Sequence, residues 1–87
     1  MRASLSRHDM ELIMRGRDII ESGELRRVRE TLGMSRPEMA ALLGVSNPTV
    51  RSWELTLRAP RRPYLMRIGK VVGGMRRAIE EERASTA

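Results

Sequence analysis

Few side chains in this sequence are equipped for covalent or metal chemistry. The 87 residues include no Cys and a single His, His8, which removes thiolate nucleophiles, disulfides and Cys/His metal sites. There is no Gly-rich phosphate loop. The one acidic cluster, Glu80-Glu81-Glu82, reads as a balance to Arg76, Arg77 and Arg83 along a helix. Neither an enzyme nor a cofactor is expected. What remains is hydrogen bonding and positive charge. Asn47, Thr49, Arg51 and Ser52 stand close together around Pro48, and Arg58, Arg61 and Arg62 follow in a segment with Pro60 and Pro63. Seventeen basic residues, all but one of them Arg, face eleven acidic ones, for a net charge of +6. Such a surplus suits a polyanion, because each neutralised phosphate releases condensed counterions. Nucleic acid and acidic lipid compete for that role. The Arg fork matches phosphate and guanine edges, although GC-rich coding DNA also favours Arg.

Length and composition bound what can hold these groups in place. One domain with one modest core is the expectation for a chain of this size. With no Phe, one Trp and one Tyr, that core must be aliphatic, with seven Met filling gaps. No apolar run approaches the ~18 residues of a membrane span. Residues 1–8 lack the apolar stretch of a secretory signal. A cytoplasmic protein without membrane contact follows.

The periodicities are helical throughout, and no strand alternation survives. A first helix is expected from Arg7 to Glu21, capped by Ser6, with Met10, Ile13, Met14 and Ile20 on one stripe and Gly16 as a weak point. A second runs from Glu24 to Leu32 on Leu25, Val28 and Leu32, and Gly33 ends it. Ser35-Arg36-Pro37-Glu38 has capping-box spacing and starts a third helix that reaches Leu43. Ser46 caps a fourth, from Asn47 to Leu55, with Pro48 in its first turn. A last helical region spans Pro63 to Arg83 on Leu65, Ile68, Val72, Met75 and Ile79, with Gly73-Gly74 as a point where it splits. Residues 1–6 and 84–87 are expected to fray. Met10, Met14, Met66 and Met75 read as core or interface filler, His8 as an exposed terminal residue, and Arg26, Arg27, Arg76 and Arg77 as solvent-facing.

The third and fourth helices, joined by Gly44-Val45-Ser46, carry the functional argument. Ala40 is small where two helices approach, and Gly44 sits where positive φ is free only for Gly. Met39, Leu43, Val45, Val50 and Trp53 then bury the junction, the pattern that two steeply crossing helices require. Asn47, Pro48, Thr49, Arg51 and Ser52 are left on the outer and leading sides of the fourth helix.

These residues carry a resemblance. Leu32-Gly33-Met34-Ser35, Met39 through Ser46, Thr49-Val50 and Trp53-Glu54 resemble the Cro/C1-type (XRE-like) helix-turn-helix family of phage repressors and small bacterial regulators. The likeness covers residues 24–70 without a gap. It implies an all-α, lambda-repressor-like domain of five to six helices, with an extra helix over 1–23, the DNA-binding domain over 24–72 and a helical extension and tail over 73–87. It also implies a repressor or Cro-like switch protein, of phage or actinobacterial origin, that binds double-stranded DNA as a homodimer. An antitoxin that regulates its own gene is the alternative. A protein partner would have residues 1–22 or 73–87 to meet.

By the same resemblance, Asn47, Pro48, Arg51 and Ser52 fall at base-reading positions. Arg51 suits a guanine, Asn47 an adenine and the Pro48 ring a thymine methyl. Asn47 has helix capping as a second reading, and Pro48 has helix initiation. Arg36, Thr49, Arg58, Arg61 and Arg62 fall at phosphate contacts. Arg29 and Glu54 match a buried structural ion pair. The family usually has Gly at the position of Thr56, and Pro48 is unusual inside a recognition helix.

Overall fold

The computed structural model describes residues 4–86. Five helices make up the fold: α1 (Arg7–Ser22), α2 (Glu24–Thr31), α3 (Arg36–Leu43), α4 (Asn47–Glu54) and α5 (Arg62–Thr86). Among the described residues there is no strand. Nor, among those residues, is any helix long and apolar enough to cross a membrane. Local chemistry sets most of the boundaries. Ser6 and Asp9 form a capping box at α1, and Ser35 and Glu38 form one at α3, each side chain taking up an otherwise unpaired amide. Backbone N–H donation from Ser35 holds the Glu38 carboxyl below the usual carboxylate range.

α2, α3 and α4 share one way of ending. After each, an amide just past the helix donates to a carbonyl five residues back: Met34 to Arg29, Val45 to Ala40, Leu57 to Ser52. This closure needs a left-handed residue between. Gly33 and Gly44 supply it after α2 and α3, but Thr56 supplies it after α4, at φ 55°. A β-branched residue there costs about 1–2 kcal/mol, of which a glycine returns 0.5–1 kcal/mol through its freer unfolded chain (on the order of that range). Thr56→Gly is therefore expected to raise stability by about 0.5–1 kcal/mol, readable as a higher urea midpoint at unchanged m-value. A lower midpoint would mean that the Thr56 hydroxyl, which donates to the Leu55 carbonyl at 2.7 Å, outweighs the backbone strain.

One aliphatic core joins all five helices. Ile19, Leu25, Met39, Leu43, Val50, Ile68 and Val72 are fully buried in it. α1 packs along α5 with the two helices advancing in the same direction, Leu12 meeting Gly69, Arg15 meeting Gly73 and Asp18 lying 3.5 Å from Arg76. Gly16 backs onto the Leu65 carbonyl, and Gly69 backs onto the Leu12 carbonyl, so that each helix presents a bare backbone to the other. The α2–α4 unit packs against this pair through Leu25, Val28, Met39, Leu43 and Trp53.

Several expectations require correction. The buried face of α1 is Leu12, Ile13, Gly16, Ile19 and Ile20, while Met10 and Met14 are 52% and 66% exposed. The pattern of apolar residues misplaces this face toward Met10 and Met14 because a glycine does not register as apolar. Gly16 is the contact point of the helix pair and not a weak spot. Leu32 follows the last turn of α2 and is exposed. α5 runs unbroken through Gly73-Gly74, because Gly73 lies under the Arg15 side chain and Leu65, Ile68 and Val72 hold one continuous face. Of the ends expected to fray, residues 1–3 and 87 lie outside the described residues. Residues 84–86 continue α5, with the Ser85 and Thr86 hydroxyls donating to carbonyls one turn back. Arg76 is not solvent-facing: it donates to Glu24 at 2.9 Å and lies 3.5 Å from Asp18, bridging α1, α2 and α5.

Candidate nucleic-acid interface

Residues 36–54 form two helices of eight residues separated by Gly44, Val45 and Ser46. Ala40 is 3% exposed and Val50 is fully buried, so the helices meet at full contact. Gly44 stands at φ 70°, and the Ser46 hydroxyl accepts the Thr49 amide to open α4. Trp53 closes the junction from behind, with its ring centroid 5.8 Å from that of Tyr64 on α5 and a 50° tilt between the rings. Arg67, also on α5, donates to the Leu43 carbonyl at 2.8 Å and so caps the end of α3. Sequence reading missed Arg67, because a cap that arrives from 24 residues away leaves no local signal.

With one face of α4 in the core, the other is fixed. Asn47, Pro48 and Arg51 are exposed on it. Ser52 and Thr49 are half-buried and line a shallow groove with Pro48, Arg58, Ala59, Pro60, Arg61 and Tyr64. The Thr49 hydroxyl lies 2.8 Å from that of Ser46, engaged in the cap. Neither hydrogen bond nor ion pair ties down the side chains of Arg51, Arg58, Arg61 or Arg62 among the described residues. By contrast Arg26 is matched to Glu30 and Arg7 to Glu11. Charge is one-sided here: from Met39 to Ile79 the chain has eight basic residues and one acidic residue, Glu54, which is sequestered.

Glu54 ends α4 with its carboxylate closed off from solvent, at 0% side-chain exposure. The Arg29 Nε donates to one oxygen at 2.7 Å and the Arg29 Nη2 donates to the other at 3.1 Å. The remaining Arg29 amino group donates to the Met34 carbonyl. Arg36, expected at a phosphate contact, donates its Nε to Glu54 at 3.0 Å with its side chain 30% exposed. Burial opposes the charged form of Glu54, but the hydrogen bonds from Arg29 and Arg36 outweigh it and hold its pKa below the usual value. The Glu54 hydrogen bond likewise raises Arg29.

The structure thus brings Pro48, Thr49 and Ser52 together with Arg58 and Arg61 in one groove, while Asn47 and Arg51 stand exposed on α4 outside its lining and Arg62 is exposed at the start of α5. No curated protein and no solved structure matches the chain. A family model, described as helix-turn-helix, matches residues 25–73, which is more than half of the sequence and takes in α2, α3, α4 and the first half of α5. The chain therefore belongs to the Cro/C1-type (XRE) helix-turn-helix family and is a DNA-binding transcription regulator of that kind.

Proposed function

We propose that the protein is an operator-binding repressor of the Cro-like kind, acting as a homodimer with α4 of each copy in the major groove. Arg51, Asn47, Pro48 and Ser52 read base edges, and Arg36, Thr49, Arg58, Arg61 and Arg62 hold phosphates. The observation that carries this reading is Arg51. It stands exposed on the outer face of α4 with no hydrogen-bond or ion-pair partner among the described residues, inside a stretch whose one acidic residue, Glu54, is sequestered. Its planar fork is free for the two acceptors of a guanine. One helix reads only a few base pairs, too few to compete against a genome. Two-fold pairing with half-sites about 34 Å apart, one helical turn, supplies the missing specificity.

Selection of bound sequences from a random DNA pool is expected to return a palindrome. On that site Arg51→Ala should cost about 1–3 kcal/mol and relax preference at one base pair per half-site. Arg62→Ala should weaken all sequences alike and flatten the dependence on salt by about one unit. If Arg51→Ala lost affinity equally on the selected site and on random DNA, base reading by Arg51 would be wrong. A second reading, an antitoxin that represses its own gene, draws on the exposed Met10 and Met14 of α1. Co-purification with a toxin from an adjacent gene would favour it.

A further inference from the structure

The two ends of the helix-turn-helix are tied to a single carboxylate. Arg36 is the first residue of α3 and Glu54 the last of α4. Between them they share a cluster whose charges do not cancel, two guanidinium groups against one carboxylate. Arg29 has no donor nitrogen left over: Nε and Nη2 serve Glu54 and Nη1 serves Met34. Both Glu54 oxygens are filled, one of them twice. Arg36 uses only its Nε, and its two terminal amino groups have no partner among the described residues. The surplus positive charge therefore resides on the accessible part of Arg36.

We propose that Glu54 is a positioning residue for DNA binding: by holding the Arg36 Nε, it presents the free amino groups of Arg36 to a backbone phosphate in an orientation set before DNA arrives. This rests on the reading of Arg36 as a phosphate contact. A long side chain loses rotamer freedom when a ligand immobilises it. A guanidinium already anchored at Nε, on the floor of a buried pair, has lost that freedom in the free protein. Arg29 in turn fixes Glu54, so the ionic core and the phosphate grip are one unit.

Charge arithmetic and positioning predict opposite signs, which makes the idea testable. Glu54→Gln raises the net charge by one and on electrostatics alone should tighten binding to any duplex. Positioning predicts weaker binding, by about two- to tenfold, the ordering cost of one side chain converted to affinity. The probe is a random-sequence DNA duplex titrated across a salt series. Arg36→Ala should reduce the salt slope by about 0.9, and Glu54→Gln placed on Arg36→Ala should cause no further loss. Should Glu54→Gln fail to fold, Arg29→Met/Glu54→Leu replaces the pair with apolar groups at unchanged net charge, an exchange cores tolerate. It is expected to show the same loss, again absent in the Arg36→Ala background. Binding by either Glu54 variant as tight as native, or a loss that persists without Arg36, overturns the proposal. An unchanged salt slope for Arg36→Ala removes Arg36 from the phosphate contacts and the proposal with it, while DNA binding through the other residues stands. Absence of binding by the native chain would instead sink the functional reading itself.

Discussion

Gly69→Ala is expected to destabilise the protein by about 2 kcal/mol or more, even though alanine is the better helix former by roughly 1 kcal/mol. A methyl group at residue 69 would fall on the Leu12 carbonyl oxygen, closer than any real Cβ approaches a neighbour. The obstacle is backbone, so rotamer changes cannot relieve it. α1 and α5 must separate or tilt, and the packing of Ile13, Leu65, Ile68 and Val72 goes with them. Overpacking with backbone displacement costs about 1–3 kcal/mol and sometimes more, enough to reverse the propensity gain. Gly16→Ala meets the Leu65 carbonyl in the same way. Because one separation of the helices relieves both clashes, the double variant should cost clearly less than the sum of the singles. Gly74→Ala is the control. It lies on the same helix with nothing near its missing methyl, and alanine there should stabilise by up to about 1 kcal/mol. Chemical denaturation of the four variants checks the pattern. Equal signs at residues 69 and 74 would show that α1 and α5 are not in backbone contact.

What was legible in the sequence was local. Ser35 with Glu38, Gly44 after Leu43 and Ser46 before Asn47 each act within four residues, so the bounds of α3 and the start of α4 could be read directly. The inner face of α4 followed from Val50 and Trp53, and the exposed positions of Asn47 and Arg51 followed from that. Residues that act at long range stayed hidden, save Arg29 and Glu54, 25 residues apart, which the family resemblance paired. The Leu12/Gly16 and Leu65/Gly69 pairs have the same spacing on both helices, but only their approach in space gives the glycines a purpose. Arg36 and Glu54 lie 18 residues apart, and Arg76 and Glu24 lie 52 apart. Nothing in the neighbourhood of either arginine announces its partner. Thr56 was visible as a departure from the family, yet its left-handed conformation comes from the closure of α4 around it.

Arg29→Met is expected to cost about 3–5 kcal/mol, the usual loss when one member of a buried ion pair is removed. For a domain of this size that lowers the melting temperature by about 12 °C or more. Glu54, at 0% side-chain exposure, would keep only the single hydrogen bond from Arg36, and the Met34 carbonyl would lose its donor. Removal of both charges should be far milder than removal of one, since no ion is then left stranded. Acid titration tests the same cluster independently. The pKa of Glu54 is lower in the folded protein than the ordinary 4.5, so the unfolded chain binds protons first as pH falls. The stabilisation is therefore complete above about pH 4.5, erodes below it, and is gone once pH passes the lower folded value. Glu54→Gln should flatten this acid limb but not abolish it, because Glu38 is also held below its ordinary value. An Arg29→Met protein with native melting temperature and a native acid limb would mean that the buried pair contributes nothing. The packing around Val50 and Trp53 would then have to hold the helix-turn-helix without it.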